Sequence, residues 1–249
     1  MLLAIDIGNS TTKFGLFKGD DLVKKLTINT DRNKTASESF PEIASDVPPQ
    51  LEAIVISSVV KELRSSYKTL GETNYGITPD FIDHTVDFGF SIRYFPPEDC
   101  GADRLVDAYA AVEKYSSPVI VCDFGTATTI DLVNEKLEYV GGIITPGPNT
   151  LGSALFENTS KLPKVNFEKP EKVIGDSTIS SIRSGTYFGY IGLVDRIIER
   201  MLEGCKNAIV VSTGGFASPI ADESRYVEIV EENLMLEGLQ LIYKKINRD

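Results

Sequence analysis

The sequence predicts a duplicated α/β chain built from two halves of the same element order. Three observations carry this. Apolar runs of strand length alternate with segments of helical spacing. The pattern restarts after Ser116-Ser117-Pro118. The heptapeptide Asp6-Ile7-Gly8-Asn9-Ser10-Thr11-Thr12 returns as Asp123-Phe124-Gly125-Thr126-Ala127-Thr128-Thr129, with Asp, Gly, Thr and Thr at one spacing.

Leu2 to Ile5 is a short apolar strand. Phe14–Phe17 and Leu22–Ile28 are two more, joined by Lys18-Gly19-Asp20-Asp21, a hairpin signal. The polar stretch 29–50 ends in Val47-Pro48-Pro49, which predicts a helix around Ser37–Ala44 and then a loop. Ala53–Ser57 reads as a buried strand and Lys61–Leu70 as a helix. Leu105, Ala108, Tyr109, Val112 and Tyr115 follow helical spacing and predict a helix over 103–115. The second half opens with strands at Val119–Cys122, Thr129–Val133 and Tyr139–Ile144, with a turn at Asn134-Glu135. A helical pattern covers 178–202. A buried strand at Ile209–Val211 ends in Ser212-Thr213-Gly214-Gly215, and an amphipathic helix runs over 233–247 through Leu234, Leu239, Ile242 and Ile246. Each half therefore reads strand, strand, strand, helix, strand, helix. The expected domains are 1–116 and 117–249, the last helix going with the second.

Composition narrows the function. A chain of 249 residues buries about 70% of its unfolded surface without staples. With 42% hydrophobic and 24% charged residues it is neither disordered nor fibrous. Its 25 basic and 36 acidic residues give a net charge of −11, unsuited to nucleic acid or an anionic membrane. No apolar run reaches the length of a membrane span, and Met1–Ser10 has no basic leader region and carries Asp6, so a cytoplasmic protein is expected. Cys100, Cys122 and Cys205 are scattered, which fits a reducing compartment and small core roles. The single histidine, His84, has no nucleophile motif to serve and reads as a turn residue.

The repeated heptapeptide suits phosphate. Each copy follows a strand that delivers an Asp to its C-terminal end. The Gly permits a tight turn with N–H groups facing a ligand, and the small hydroxyl residues can donate to phosphate oxygens. An Asp beside phosphates repels them unless a cation or its water shell stands between. Two such turns form a polyphosphate clamp, with Lys13 adding charge to the first. Thr213-Gly214-Gly215 after a buried strand would let backbone approach a flat ligand such as adenine or ribose.

These features together resemble the sugar-kinase, heat-shock chaperone and actin superfamily, and more closely the type III pantothenate kinases. The marks are Asp6-Ile7-Gly8-Asn9-Ser10, Gly101-Ala102-Asp103-Arg104, Asp123–Thr129, Gly141-Gly142-Ile143-Ile144-Thr145-Pro146-Gly147, Lys161-Leu162-Pro163 and Gly175-Asp176-Ser177-Thr178, in the family's order. The resemblance implies duplicated ribonuclease-H-like (actin-like ATPase) domains with an ATP cleft between them. It implies transfer of phosphate from ATP, with a divalent cation such as Mg2+, to the primary hydroxyl of pantothenate, the first step of coenzyme A synthesis. By the same resemblance, Asp6, Ile7, Gly8, Asn9, Ser10, Thr11, Thr12 and Lys13 form the nucleotide-phosphate loop. Asp103 is the catalytic base; Tyr94, Gly101, Ala102, Asp103 and Arg104 contact substrate; Asp123 holds a monovalent cation, K+ or NH4+; Thr126 binds ATP; and Thr178 reaches the pantothenate of a neighbouring subunit. Arg104 either pairs with the pantothenate carboxylate or holds Asp103. Ser10 stands where Thr is commoner, and Cys100 where an apolar residue is commoner.

One helix face of the second half carries Ile182, Gly185, Gly189, Gly192 and Arg196 at spacings of 3, 4, 3 and 4. Each Gly costs a helix roughly 1 kcal/mol relative to Ala, and close helix–helix approach is the usual compensation. A two-fold dimer along 182–200 with shared active sites is the expectation, against packing within the chain. The competing functions are a sugar kinase of the same superfamily, which the short chain and the Gly-Ala-Asp-Arg placement disfavour, and a nucleotide-binding regulator of transcription, which intact Asp103 and both loops disfavour.

Overall fold

The computed structural model describes residues 1–247 and divides the chain into two compact units. The first comprises residues 1–114 together with the C-terminal segment from Asn233; the second is Tyr115–Glu232.

In the first unit, β1 (Leu2–Ile7) is buried at every residue. It lies between β2 (Thr11–Lys18), antiparallel, and β4 (Ala53–Ser58), parallel. With β3 (Asp21–Asn29) and β5 (Asp80–Ile82) the sheet order is β3-β2-β1-β4-β5. A short strand, β6 (Ser91–Ile92), follows. Strand alternation sorts the side chains. Leu3, Ile5, Ile7, Phe14 and Leu16 join Leu63, Tyr67 and Leu70 of α2 (Lys61–Tyr75) in one core cluster. The opposite face carries Leu2, Ala4 and Asp6. The helix predicted over 37–44 is only α1 (Ala36–Ser39), capped by Thr35 and followed by 3-10 turns, because Pro41 and the prolines beyond interrupt it. The helix α3 (Ala102–Tyr115) begins one residue before its predicted start.

The second unit repeats this topology. β7 (Val119–Phe124), β8 (Ala127–Val133) and β9 (Glu138–Pro146) are antiparallel neighbours. β10 (Ile209–Thr213) and β11 (Ile229–Val230) extend the other side in parallel, giving β11-β10-β7-β8-β9. α4 (Pro148–Glu157) and α6 (Ala217–Ala221) were not foreseen: one is a proline-initiated turn of chain rich in small residues, the other only five residues long. The long α5 (Thr178–Gly204) supplies Tyr187, Tyr190, Ile191, Val194 and Ile198 to a core shared with Ile120, Cys122, Phe124, Ile130 and Val210. Asp123 and Val121 alternate to the other face.

The sequence assigned the final helix to the second half. α7 (Leu234–Ile246) instead packs on β1, β2 and β4. Gly15, paired with Ala4, makes room for it, since a Cβ there would lie 3.2 Å from Leu236. Gly238 likewise admits Val106 of α3, which a Cβ would approach to 2.8 Å. Of the helical face read from Leu234, Leu239, Ile242 and Ile246, the first three are buried, whereas Ile246, the last residue of the helix, is 44% exposed.

Candidate active site

The register shows what the repeat in sequence conceals. On the first turn Asp6 pairs with Lys13 and Ile7 with Thr12; on the second Asp123 pairs with Thr129 and Phe124 with Thr128. The first turn is one residue longer. The structural counterpart of Thr128 is therefore Thr12, not Thr11, and that of Thr129 is Lys13. A gap-free comparison of the heptapeptides cannot show this slip.

Asp6, only 8% exposed, closes β1. Lys13 Nζ lies 3.9 Å from its Oδ2. The turn between them is tied by the Gly8 N–H donating to the Thr11 carbonyl at 3.0 Å, and a Cβ on Gly8 would sit 3.0 Å from that same oxygen. Asn9 and Ser10 are exposed at the tip. The Arg32 guanidinium donates to the Asn9 side-chain oxygen, and the Thr30 N–H to the Ser10 carbonyl. Arg32 is a cation beside this loop that its polar, pattern-poor surroundings hid. Ile7 and Thr12 turn into the core: Ile7 is fully buried, and Thr12 Oγ1 lies 2.9 Å from Thr30 Oγ1 and also bonds Tyr67. Thr12, expected among the nucleotide contacts, thus spends its hydroxyl internally, because alternation places it on the face opposite Lys13.

The second loop is tighter. Gly125 N–H donates to the Ala127 carbonyl at 3.1 Å, leaving Thr126 at the apex. The motif at the end of β9 holds that apex from behind. Gly147 N–H and Thr150 Oγ1 both donate to the Thr126 carbonyl, at 3.0 and 2.6 Å. A Cβ on Gly147 would lie 2.0 Å from the Gly125 oxygen, so only glycine fits. Thr213 pairs with Asp123 across the parallel ladder. The next residue, Gly214, has φ +93° and lies under Asp123: a Cβ would come within 2.4 Å of Oδ1 and 2.7 Å of Phe124 backbone. That glycine is required by the neighbouring strand, an explanation the ligand-approach reading had not included. Burial, reinforced by the carboxylates of Asp131 and Asp123, pushes the Cys122 thiol far up. It and Cys205, pushed up to about 11, are core groups in their thiol form.

Gly101–Arg104 lies at the start of α3. Asp103 sits in the first turn, so its carboxylate is stabilised by the helix N-terminus. Its Oδ1 accepts from the Arg104 N–H at 2.8 Å. A Cβ on Gly101 would meet that same Oδ1 at 2.3 Å, so the glycine gives the carboxylate its place. Arg104, 6% exposed, stacks its guanidinium over the Tyr94 ring at 5.3 Å. The structure thus brings Tyr94, Gly101, Asp103 and Arg104 together, residues seven apart in sequence at the nearest between Tyr94 and the motif. Cys100 is buried, as its small-hydrophobe reading expects. His84 lies in a turn.

Thr178 is the exposed first residue of α5. Ser177 caps the helix in a reciprocal box with Ser180. Gly175 packs so closely on this turn that a Cβ would lie 2.4 Å from the Ser181 nitrogen. The Gly-Asp-Ser-Thr motif therefore fixes the capped turn from which Thr178 opens the helix.

Two units of one topology, each ending its central strand in an Asp and a glycine turn, define the class: the two-domain actin-like and sugar-kinase fold. A solved Sinorhizobium meliloti protein described as a candidate 2-dehydro-3-deoxygalactonokinase has this fold, with a TM-score of 0.61 at 13% identity over 99% of this chain and 97% of its own. So does a Campylobacter jejuni protein described as a Baf family transcriptional activator, with a TM-score of 0.64 at 22% identity over 99% and 100%. The family model for type III pantothenate kinase matches residues 2–200. The type III pantothenate kinase of Geobacter sulfurreducens is 42% identical over the whole of both chains, and that of Myxococcus xanthus 43% over 98% of each. The chain belongs to the type III pantothenate kinase family.

Proposed function

We propose that this chain carries out the reaction of its family, phosphorylation of pantothenate by ATP to 4′-phosphopantothenate in coenzyme A biosynthesis, with Asp103 as the base. The observation that carries the assignment of the base is local: a carboxylate in the first turn of α3, kept clear by Gly101 and flanked by a buried Arg104 stacked on Tyr94. Asp103 orients the primary hydroxyl and accepts its proton as the oxygen bonds to the γ-phosphorus and ADP departs. Phosphoryl transfer has a loose transition state, so holding the groups in line and neutralising charge does most of the work. A carboxylate is a sufficient base because the proton leaves late. Tyr94, Gly101, Ala102 and Arg104 are the proposed substrate contacts, and the Arg104 guanidinium is the natural partner for a substrate carboxylate.

Asp6–Lys13 and Thr126 are the proposed nucleotide contacts. Lys13 and the Asn9–Ser10 tip supply a cation and backbone N–H groups, the Gly8 N–H being held by the Thr11 carbonyl; the side chains of Ile7 and Thr12 are buried. Among the described residues no three His, Cys, Asp or Glu side chains gather as a metal site. The donor set fits a magnesium ion carried by the nucleotide and met through water by Asp6, where the ion would offset charge between Asp6 and the phosphates. Asp123 is the proposed site of a monovalent cation. Its row across the sheet, Thr129–Asp123–Thr213, holds one carboxylate between hydroxyls and no basic group, whereas the matching row of the first unit carries Lys13. Oxygen donors of that kind suit K+ or NH4+.

A homodimer with shared sites completes the proposal. Gly185, Gly189 and Gly192 are exposed along α5, and a Cβ at any of them would meet nothing within 4 Å. Packing within the chain therefore does not account for them, and a second copy would. Thr178, at the head of the same helix, would serve the partner's pantothenate. Among the described residues no helix is long and apolar enough to cross a membrane; a cytoplasmic location is part of the same proposal.

The test is ADP release from magnesium ATP with and without pantothenate, in potassium and then sodium buffer. Pantothenate-dependent release that requires potassium is expected. Release equal in both salts would remove the cation role of Asp123, and no release with nucleotide still bound would overturn the substrate assignment.

A further inference from the structure

Ser57, near the end of β4, is fully buried, and its hydroxyl has no hydrogen-bond partner among the described residues. Its neighbour Ser58 shows that this segment can satisfy a hydroxyl: Ser58 Oγ donates to the Val60 carbonyl at 3.1 Å and accepts from the Val60 N–H at 3.2 Å. A buried hydroxyl without a partner destabilises the folded chain, and alanine would avoid the penalty. The place of Ser57 supplies a reason for it. It is the Cα partner of Asp6 across the parallel ladder, so the row on that face of the sheet reads Lys13–Asp6–Ser57. Adjacent strands lie about 4.8 Å apart, and directly paired residues point to one face. Serine has a single side-chain torsion, so one rotamer change carries its hydroxyl towards the neighbouring carboxylate. The second unit has a hydroxyl at the equivalent place: Thr213 of β10 is the partner of Asp123. Two units that share few residues both keep a hydroxyl beside the loop carboxylate.

We propose that Ser57 is a positioning residue of the first phosphate loop, its hydroxyl donating to the Asp6 carboxylate when magnesium nucleotide is bound. Ser57 takes one lone pair of Asp6 on the β4 side while Lys13 stands on the β2 side, which holds the carboxylate in a fixed orientation towards the hydrated cation. Without the nucleotide complex the hydroxyl is left unpaired. This rests on the reading of Asp6–Lys13 as the nucleotide loop.

The experiment uses the full chain as wild type, Ser57→Ala and Ser57→Thr. Thermal unfolding is followed without ligand, and nucleotide binding is titrated by calorimetry with and without magnesium. A lost bond to a charged group predicts roughly tenfold weaker binding of magnesium nucleotide by Ser57→Ala. Its magnesium-free binding should change less than about twofold, and its unliganded Tm should hold or rise. Ser57→Thr, which keeps the hydroxyl, should bind magnesium nucleotide within about threefold of wild type. Wild-type affinity in Ser57→Ala overturns the proposal. So does a lower unliganded Tm with equal losses with and without magnesium, which marks a structural role. A wild-type chain that binds no magnesium nucleotide would instead refute the loop assignment on which the proposal stands.

Discussion

Gly214 lies directly beneath the carboxylate of Asp123: a Cβ at Gly214 would approach Asp123 Oδ1 to 2.4 Å. The glycine also has φ +93°, where an L side chain is strained, and Phe124 backbone atoms stand 2.7 Å from the same point. The end of β10 is therefore shaped around the second loop, and the loop carboxylate depends on a residue 91 positions away in the chain.

Gly214→Ala should test that dependence. The chain can neither adopt the backbone angle cheaply nor move Phe124, which belongs to a central strand. Chemical denaturation should show a loss of about 2 kcal/mol or more. Any potassium stimulation of turnover should fall with it. An alanine variant of wild-type stability would show that β10 yields at this point.

Gly101→Ala should behave differently. Its added methyl would run into Asp103 Oδ1, the end of a side chain that can rotate away. The fold should survive and the base should be misplaced. A drop in kcat on the order of tenfold or more is expected at nearly unchanged Tm, since small errors of position weigh heavily in transfer reactions. Asp103→Asn removes the base itself and should lower kcat about 100-fold or more while nucleotide affinity is kept. Calorimetry with ATP alongside steady-state rates separates the two losses.

Much of this arrangement was legible in the sequence. The central strands announced themselves as apolar runs because they are buried on both faces, and the loop residues stood out because an Asp and a Gly close each run. Asp103 and Arg104 were marked by motif and helix start alike. What stayed hidden depends on pairing between distant strands. The one-residue slip between the turns is set by register, so Lys13 could not be matched with Thr129. Ser57 carries no local signal beyond an apolar strand's end, and only its pairing with Asp6 distinguishes it. The last helix reads as amphipathic wherever it packs, so its placement on β1, β2 and β4 required the fold.

Tyr190 of α5 bonds Thr128 of β8 in the buried core, and burial pushes its phenol up to about 12. The sign follows from linkage. The neutral phenol is favoured in the folded state, so its contribution is complete below the unfolded value near 10. It is lost as pH rises towards 12. Stability should therefore fall between pH 10 and 12, and Tyr190→Phe should flatten part of that fall. At pH 7 the same variant should lose about 1–2 kcal/mol, because Thr128 is left with a buried hydroxyl and no tyrosine partner. Urea titrations at several pH values give both quantities, and an unchanged alkaline slope would assign that slope to other groups.

The exposed glycines of α5 give the last prediction. If a second copy covers them, a bulky side chain at Gly189 should block the close approach that glycine permits. It should leave the protomer's own packing alone, since a Cβ there meets nothing within 4 Å. Gly189→Leu should therefore sediment as a monomer at micromolar concentration where the wild type sediments as a dimer. Within the protomer the change replaces a poor helix former with a good one, so the monomer's helix content should hold or rise. Turnover should fall with the dimer, because Thr178 at the head of α5 would no longer reach a neighbouring site. A monomeric variant of full activity would separate the two, keeping the interface but confining each pantothenate site to one chain. A wild-type chain that is already monomeric at that concentration would leave the glycine face unexplained by self-association.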